Sequence, residues 1–459
     1  MSSPETSPAP EGPSTASATA GYGRGAGILS AGLAATGLVT FGFFALASHT
    51  LAASEYKRIV LLWSLMFIVI STIYRPIEQL LSRTIAARRA TGIEEHPLRG
   101  PAAIQLGFAA VFLAVALALR GRIENELFDG SATLYWVLVA GVATYGAAFF
   151  ARGWLAGHKR FGLFGALVLL DAVARFCFPL AVAFGVGGET LIAIGIAAAP
   201  LISLAVVPPA LAMGRARRSE GEAARLALAA EAALEGPGSE GAEEAMLDFS
   251  LTRGAGFAVA VLGIFAAEQA LLNVPVLTVD ASSNGAALAG FVFNVLLIAR
   301  APLQLFQAVQ LSLLPHLAGL EATEGREAFR HAVRVTALAI AAFGAAVAVG
   351  LFAIGPPVMR ALFGGGFDYA RGGLALMGLG MGFHLFAGTL NQAALARGRH
   401  LTASGAWILV AGLFLAWLLA APVSDQILRV ETGYCGGTAL LSLALLAVLR
   451  GRRGAAAHS

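Results

Sequence analysis

Charge is scarce in this chain. Only 13% of its 459 residues are Asp, Glu, Lys or Arg, and lysine occurs just twice, at Lys57 and Lys159. A soluble domain carries roughly 25% charged residues and needs them on its surface, so a water-soluble fold is excluded. Cysteine is equally sparse. Cys177 and Cys435 form one pair at most and fall on apolar stretches, which excludes a disulfide-stapled secreted module and leaves two structural thiols. The first residues (MSSPETSPAPEGPSTASATAGYG) lack both hydrophobic periodicity and the basic start and immediate apolar run of a secretory signal. Residues 1–25 are expected to be a disordered cytoplasmic tail, and the apolar segment that follows a retained helix. Catalytic patterns are missing too. LFGGGFD has no Lys-Ser/Thr ending of a P-loop, His384 stands alone, and no nucleophile–base pair or metal-ligand cluster is visible. No enzyme, cofactor or metal is expected.

What the chain has instead is apolar bulk. Hydrophobic residues make up 58%, and the mean hydropathy is +0.76. Glycine supplies 55 residues, well above the usual ~7%, as suits closely packed membrane helices. The fold class is therefore all-α and integral to a membrane.

A spanning helix needs about 20 mostly apolar residues. Such runs lie at 26–48, 59–82, 101–119, 132–151, 162–185 and 189–212, then at 251–278, 286–314, 333–354, 373–396, 402–421 and 432–450. About 12 transmembrane helices are thus expected in two six-helix lobes, 26–212 and 251–450. Between them, 213–250 reads as a cytoplasmic linker, and 451–459 as a cytoplasmic tail. With both termini inside, 21 basic residues fall in cytoplasmic segments against 7 outside. That bias supports the orientation. It also accounts for the net charge of +4 and the pI near 9.3 without a nucleic-acid partner. Each half starts inside and holds an even number of spans, so a repeat would be parallel. Shifted by 225 residues, Arg75, Gln79 and Leu80 fall on Arg300, Gln304 and Leu305.

Ionisable residues inside spans are expensive, so each needs a reason. Arg175, Glu268 and Arg300 each lie about 14 residues, or ~20 Å, from a helix start. Arg75 and Glu78 lie nearer the cytoplasmic end of theirs, and Asp171 sits one turn before Arg175 on the same face. In one reading, Arg75, Arg175 and Arg300 line a polar cavity between the halves and bind an anionic group, since guanidinium matches phosphate as a fork. In the other they only pair off: Arg175 with Asp171, Arg75 with Glu78, and Arg300 with Glu268. Glu268, in FAAEQALLNVP before Pro275, is open to a coupling-ion role or to a fixed counter-ion role. Gln304, Gln307 and Gln310 form one helix face able to bond sugar hydroxyls or a neighbouring helix.

Several segments together resemble the polysaccharide-biosynthesis flippases of the multidrug/oligosaccharidyl-lipid/polysaccharide exporter superfamily. They are LAASEYKRIVLLWSLMFIVIST, RPIEQLLSRTIAARRATG, RGWLAGHKRFGLFGALVLLDAVARF, ARAPLQLFQAVQLSLLPHLAGL, GPPVMRALFGGGFDYARGG and NQAALARGRH. The resemblance runs from about 26 to 450. It implies a two-lobed bundle around a central cavity that works by alternating access in a bacterial plasma membrane. The implied cargo is a polyprenyl-diphosphate-linked glycan taken from membrane lipid and moved from the inner to the outer leaflet. A glycan polymerase or other assembly protein is the implied partner, and arginines such as Arg75, Arg175 and Arg300 would hold the diphosphate. Two departures stand out. Lys57 replaces the family's glycine after Glu-Tyr, and the first helix carries no acidic residue, which argues against a cation-coupled drug exporter using a carboxylate there. Export of a small molecule on the same fold, and a non-transporting role in glycan assembly, are the alternatives.

Overall fold

The computed structural model describes residues 15–90, 98–158, 160–212, 251–282, 288–297, 300, 302–303, 325–364 and 369–450. These are helical nearly throughout: α1 (Thr15–Thr50), α2 (Ala53–Ala90), α3 (Arg99–Ala118), α4 (Ala132–Gly157), α5 (Phe161–Ala183), α6 (Glu189–Ala212), α7 (Leu251–Ser282), α8 (Leu288–Leu297), α9 (Gly325–Phe363), α10 (Arg371–Ala396), α11 (His400–Ala420) and α12 (Gln426–Arg450). Ten of them, α2–α7 and α9–α12, are long and apolar enough to cross a membrane, and the chain is a multi-pass integral membrane protein. The apolar parts of α1 (Ala34–Thr50) and α8 are shorter. Helix α1 starts at Thr15, upstream of the expected first span. Of the expected eighth span, 286–314, only α8, Arg300 and residues 302–303 are described.

Helix pairing repeats along the chain. In the first half α1 packs on α5, α4 on α6 and α5 on α6. Six helices later the same pattern returns, with α7 on α11, α10 on α12 and α11 on α12. Each half buries its own apolar faces in this way, and α2 lying against α7 joins the two sets.

Glycine sets how closely the helices approach. A Cβ on Gly344 of α9 would lie 2.7 Å from the Cα of Gly382 on α10. One on Gly378, a turn away, would lie 2.9 Å from the Cα of Ala348. The glycines of the MGLGMG stretch thus serve backbone-to-backbone packing, the main attraction open to helices that gain nothing from leaving lipid. Gly382→Leu is expected to push α9 and α10 apart and to destabilise the fold by about 1–3 kcal/mol. A lower thermal unfolding midpoint in detergent checks this, and an unchanged midpoint contradicts it. Helix α2 crosses α4 as tightly, for a Cβ on Gly153 would meet the Glu78 carbonyl oxygen at 2.9 Å.

The end of the bundle where α1 ends and α2 begins carries an ionic clamp. The Arg58 guanidinium donates Nε to Glu189 Oε1 (2.7 Å) and Nη2 to Glu189 Oε2 (2.6 Å), a two-pronged bond to the start of α6. Asp129 lies 3.3 Å from Arg58 and 3.5 Å from Lys57. It is presented by a turn in which Asp129 and Gly130 both have positive φ (49° and 83°). Aspartate is among the residues that tolerate this conformation.

Helix α3 stands apart. Only Pro101 and Ala116 of its residues are buried, and among the described residues its main contacts are with α2, α4 and the short turn that follows it. Gln105 Nε2 donates to the Gly146 carbonyl (2.9 Å), and the Tyr135 hydroxyl donates to that of Ala116 (3.0 Å). Most of its other large apolar side chains are exposed among the described residues, and Phe112 packs against the core.

Candidate functional site

Glu268 sits midway along α7, where α2 and α10 both face it. Its Oε2 is 4.0 Å from Arg75 Nη1, and its Oε1 is 3.8 Å from His384 Nε2. Arg75 also lies over the Phe265 ring, 5.2 Å from the centroid and one turn before Glu268. On its other side His384 Nδ1 is 3.1 Å from the Tyr434 hydroxyl of α12. The histidine is 1% exposed and lies 5.6 Å from the Trp407 ring of α11. The Trp407 indole N–H donates to Asn391 Oδ1 (3.2 Å). One carboxylate therefore gathers polar side chains from both halves of the chain.

Arg300, just beyond the end of α8, reaches α7 about one turn further on from Glu268. Its Nη2 donates to the Leu272 carbonyl (2.6 Å) and to Asn273 Oδ1 (2.7 Å). Asn273 is itself held, donating Nδ2 to the carbonyl and the side-chain oxygen of Gln269. The guanidinium carbon stands 4.9 Å from the Phe293 ring centroid. The residue is buried, and its Nε has no hydrogen-bond partner among the described residues. Among the described residues no carboxylate comes within 4.0 Å of Arg300.

These positions correct three expectations. The Arg300–Glu268 pair is not formed, because Glu268 turns toward α2 and α10 while Arg300 reaches neutral acceptors at Leu272 and Asn273, four and five residues on. Arg75 meets Glu268 from the other half instead of pairing locally with Glu78. Glu78 lies within electrostatic reach of Arg152 and Arg75. His384 is isolated in sequence and anything but isolated in space. Like Tyr434, it gave no spacing signal, since its partners are on other helices.

Arg175 behaves as the local reading has it. Its Nη2 is 3.5 Å from Asp171 Oδ2 one turn earlier, and its Nη1 donates to the Tyr145 hydroxyl (2.8 Å). The guanidinium lies 4.4 Å from the Trp63 ring centroid, away from the Glu268 cluster. Gln304 and Gln307, the remaining candidates, fall outside the described residues.

No family model matches the chain. Over 456 residues it is 26% identical to uncharacterized proteins of Mycobacterium tuberculosis and Mycobacterium bovis, covering 95% of this chain and 96% of theirs. Among solved structures it is similar to the eukaryotic MATE transporter AtDTX14, with a TM-score of 0.66 at 14% identity over 95% of this chain and 96% of that one. It is also similar to an inward-facing multidrug resistance MATE family transporter of the MOP superfamily, with a TM-score of 0.61 at 11% identity over 91% and 94%. The Vibrio cholerae MATE transporter VcmN in its bent form gives a TM-score of 0.56 at 14% identity over 95% and 98%. The fold is thus that of MATE transporters of the MOP superfamily. This likeness does not single out the polysaccharide branch that the sequence motifs resemble.

Proposed function

We propose that this chain is an alternating-access transporter that exports an acidic small molecule, with Arg300 binding the anionic part of the cargo. The observation that carries the reading is the buried Arg300 guanidinium, with an unpartnered Nε–H and no carboxylate within 4.0 Å among the described residues. A buried charge must be compensated. Two neutral acceptors and a ring face do this in part, and an anion would complete it through a charge-assisted fork. The fold likeness to transporters and the recurring helix pairing support two six-helix lobes, residues 26–212 and 251–450, that rock about a central passage. The bias of basic residues supports an orientation with the α1/α2 end outside and both termini in the cytoplasm. Glu268, between Arg75 and His384, is the group whose ion pair links the lobes and exchanges during the cycle.

A second reading keeps the same site and changes the cargo to a lipid-diphosphate-linked oligosaccharide, supported by the ordered segments that resemble flippases. Cells depleted of the protein separate the two. A soluble acidic metabolite that accumulates inside, with lipid-linked glycans unchanged, supports export. Undecaprenyl-diphosphate glycan that collects on the cytoplasmic leaflet supports the flippase. If neither pool moves in cells without a redundant transporter, both readings fail.

A further inference from the structure

Between the two buried arginines runs an unbroken line of aromatic rings. Arg175 of α5 lies 4.4 Å from the Trp63 centroid on α2. Trp63 meets Phe44 of α1 edge-on at 5.4 Å, and Phe44 meets Phe293 of α8 at 4.5 Å. The other end is Arg300, 4.9 Å from the Phe293 centroid. The line crosses from the first half of the chain to the second at the Phe44–Phe293 contact. All three rings are buried, with Phe44 and Phe293 at 0% exposure.

A neutral hydrogen bond lies beside the same crossing. The Tyr56 hydroxyl donates to Asn294 Oδ1 at 2.6 Å, and a Cβ on Gly290 would sit 3.1 Å from the Tyr56 ring. Phe41 and Phe363 make a further edge contact across the halves at 5.3 Å. All of this lies toward the α1/α2 end, between that surface and Arg300. These contacts are between rings and neutral polar groups, which can separate without leaving a charge exposed.

We infer that the Phe44–Phe293 contact is the outer gate of the passage, and that Arg300 holds it shut until an anionic cargo takes the guanidinium. This rests on the transport reading above. Arg300 is the latch because it touches both the gate ring and the proposed cargo site. A guanidinium binds a carboxylate or phosphate more strongly than it binds a ring face. Cargo arrival therefore pulls Arg300 off Phe293, and the outer contact is weakened only when there is something to release. Arg175 is a positioning residue. Tied to Asp171 and Tyr145, it is fixed in place, and it steadies Trp63 and thus the Phe44 side of the gate.

The test reads access to the passage, which requires no knowledge of the cargo. The full chain, with Cys177 and Cys435 replaced by alanine, receives Gln269→Cys as a reporter one turn before Asn273. Intact cells are treated with a membrane-impermeant maleimide, and inverted vesicles report the cytoplasmic side. Phe293→Ala and Arg300→Gln are both expected to raise outside labelling about tenfold, the effect of shifting the closed–open balance by roughly that factor. Phe293→Tyr keeps the ring and is expected to label as slowly as the parent. Linking Tyr56→Cys to Gly290→Cys with a short bifunctional thiol reagent is expected to suppress outside labelling in every variant. Equal outside labelling in parent, Phe293→Ala and Arg300→Gln overturns the gate and leaves the transport reading standing. A rise with Phe293→Tyr as large as with Phe293→Ala also overturns it, since general loosening would then be the cause. Labelling confined to the cytoplasmic side in all variants removes the transport reading, and the gate falls with it.

Discussion

An Arg300→Gln protein is expected to fold, reach the membrane and lose its cargo. Arg300 has no carboxylate within 4.0 Å among the described residues, so its removal strands no buried acid. What it leaves behind is the Leu272 carbonyl and Asn273 Oδ1, two neutral acceptors. An unsatisfied buried polar group costs about 1–3 kcal/mol, which a stable bundle survives. The cargo loses a charge-assisted bond of roughly 1.5–3 kcal/mol, or about 10- to 100-fold in affinity. Cells depleted of the native protein and complemented with the variant should accumulate cargo as if uncomplemented. The purified variant should show only a modest drop in unfolding midpoint. Arg300→Lys retains the charge without the fork and is expected to fall between the two. Full export by Arg300→Gln would remove the anion site.

Glu268→Ala is expected to have the opposite profile, with stability lost before anything else. The carboxylate lies between Arg75 and His384, and its side chain is 17% exposed. Removing one partner of a fully buried pair costs about 3–5 kcal/mol. The 4.0 Å separation and partial exposure reduce that to about 2 kcal/mol here, seen as a lower unfolding midpoint. The decisive variant is the exchange Arg75→Glu with Glu268→Arg. If stability and export both return, the pair only fastens α2 to α7. If stability returns and export does not, the identity of the charge at 268 matters to the cycle, as a coupling group requires. A Glu268→Ala protein as stable as the parent would show that the pair contributes nothing.

The membrane class, ten of the spans and the Asp171–Arg175 pair were legible because each is a local property. Hydropathy over 20 residues marks a span, and four-residue spacing puts two side chains on one helix face. The Glu268 partners were not legible for the converse reason. Arg75, His384 and Tyr434 come from helices α2, α10 and α12, and no spacing along the chain encodes their meeting. The pairing of Glu268 with Arg300 failed on direction: the acid turns toward Arg75 of α2 and His384 of α10, while Arg300 reaches acceptors one turn further along α7. Gly344 and Gly382 illustrate a middle case. Their density foretold close helices, and only the fold says which two.

Helix α3 makes a different use of its residues. Most of its Ile, Leu and Val side chains are exposed, and Phe112 packs against the core. Insertion then depends on transfer energy summed over the span and weighted by depth in the bilayer. Apart from Gln105, whose amide reaches Gly146, Ala116, whose backbone receives Tyr135, and Pro101 and Phe112, which pack inward, this segment is closer to a composition than to a message. Its place in the fold rests on those few contacts, while the helix it leans on, α4, is fixed along a continuous buried face.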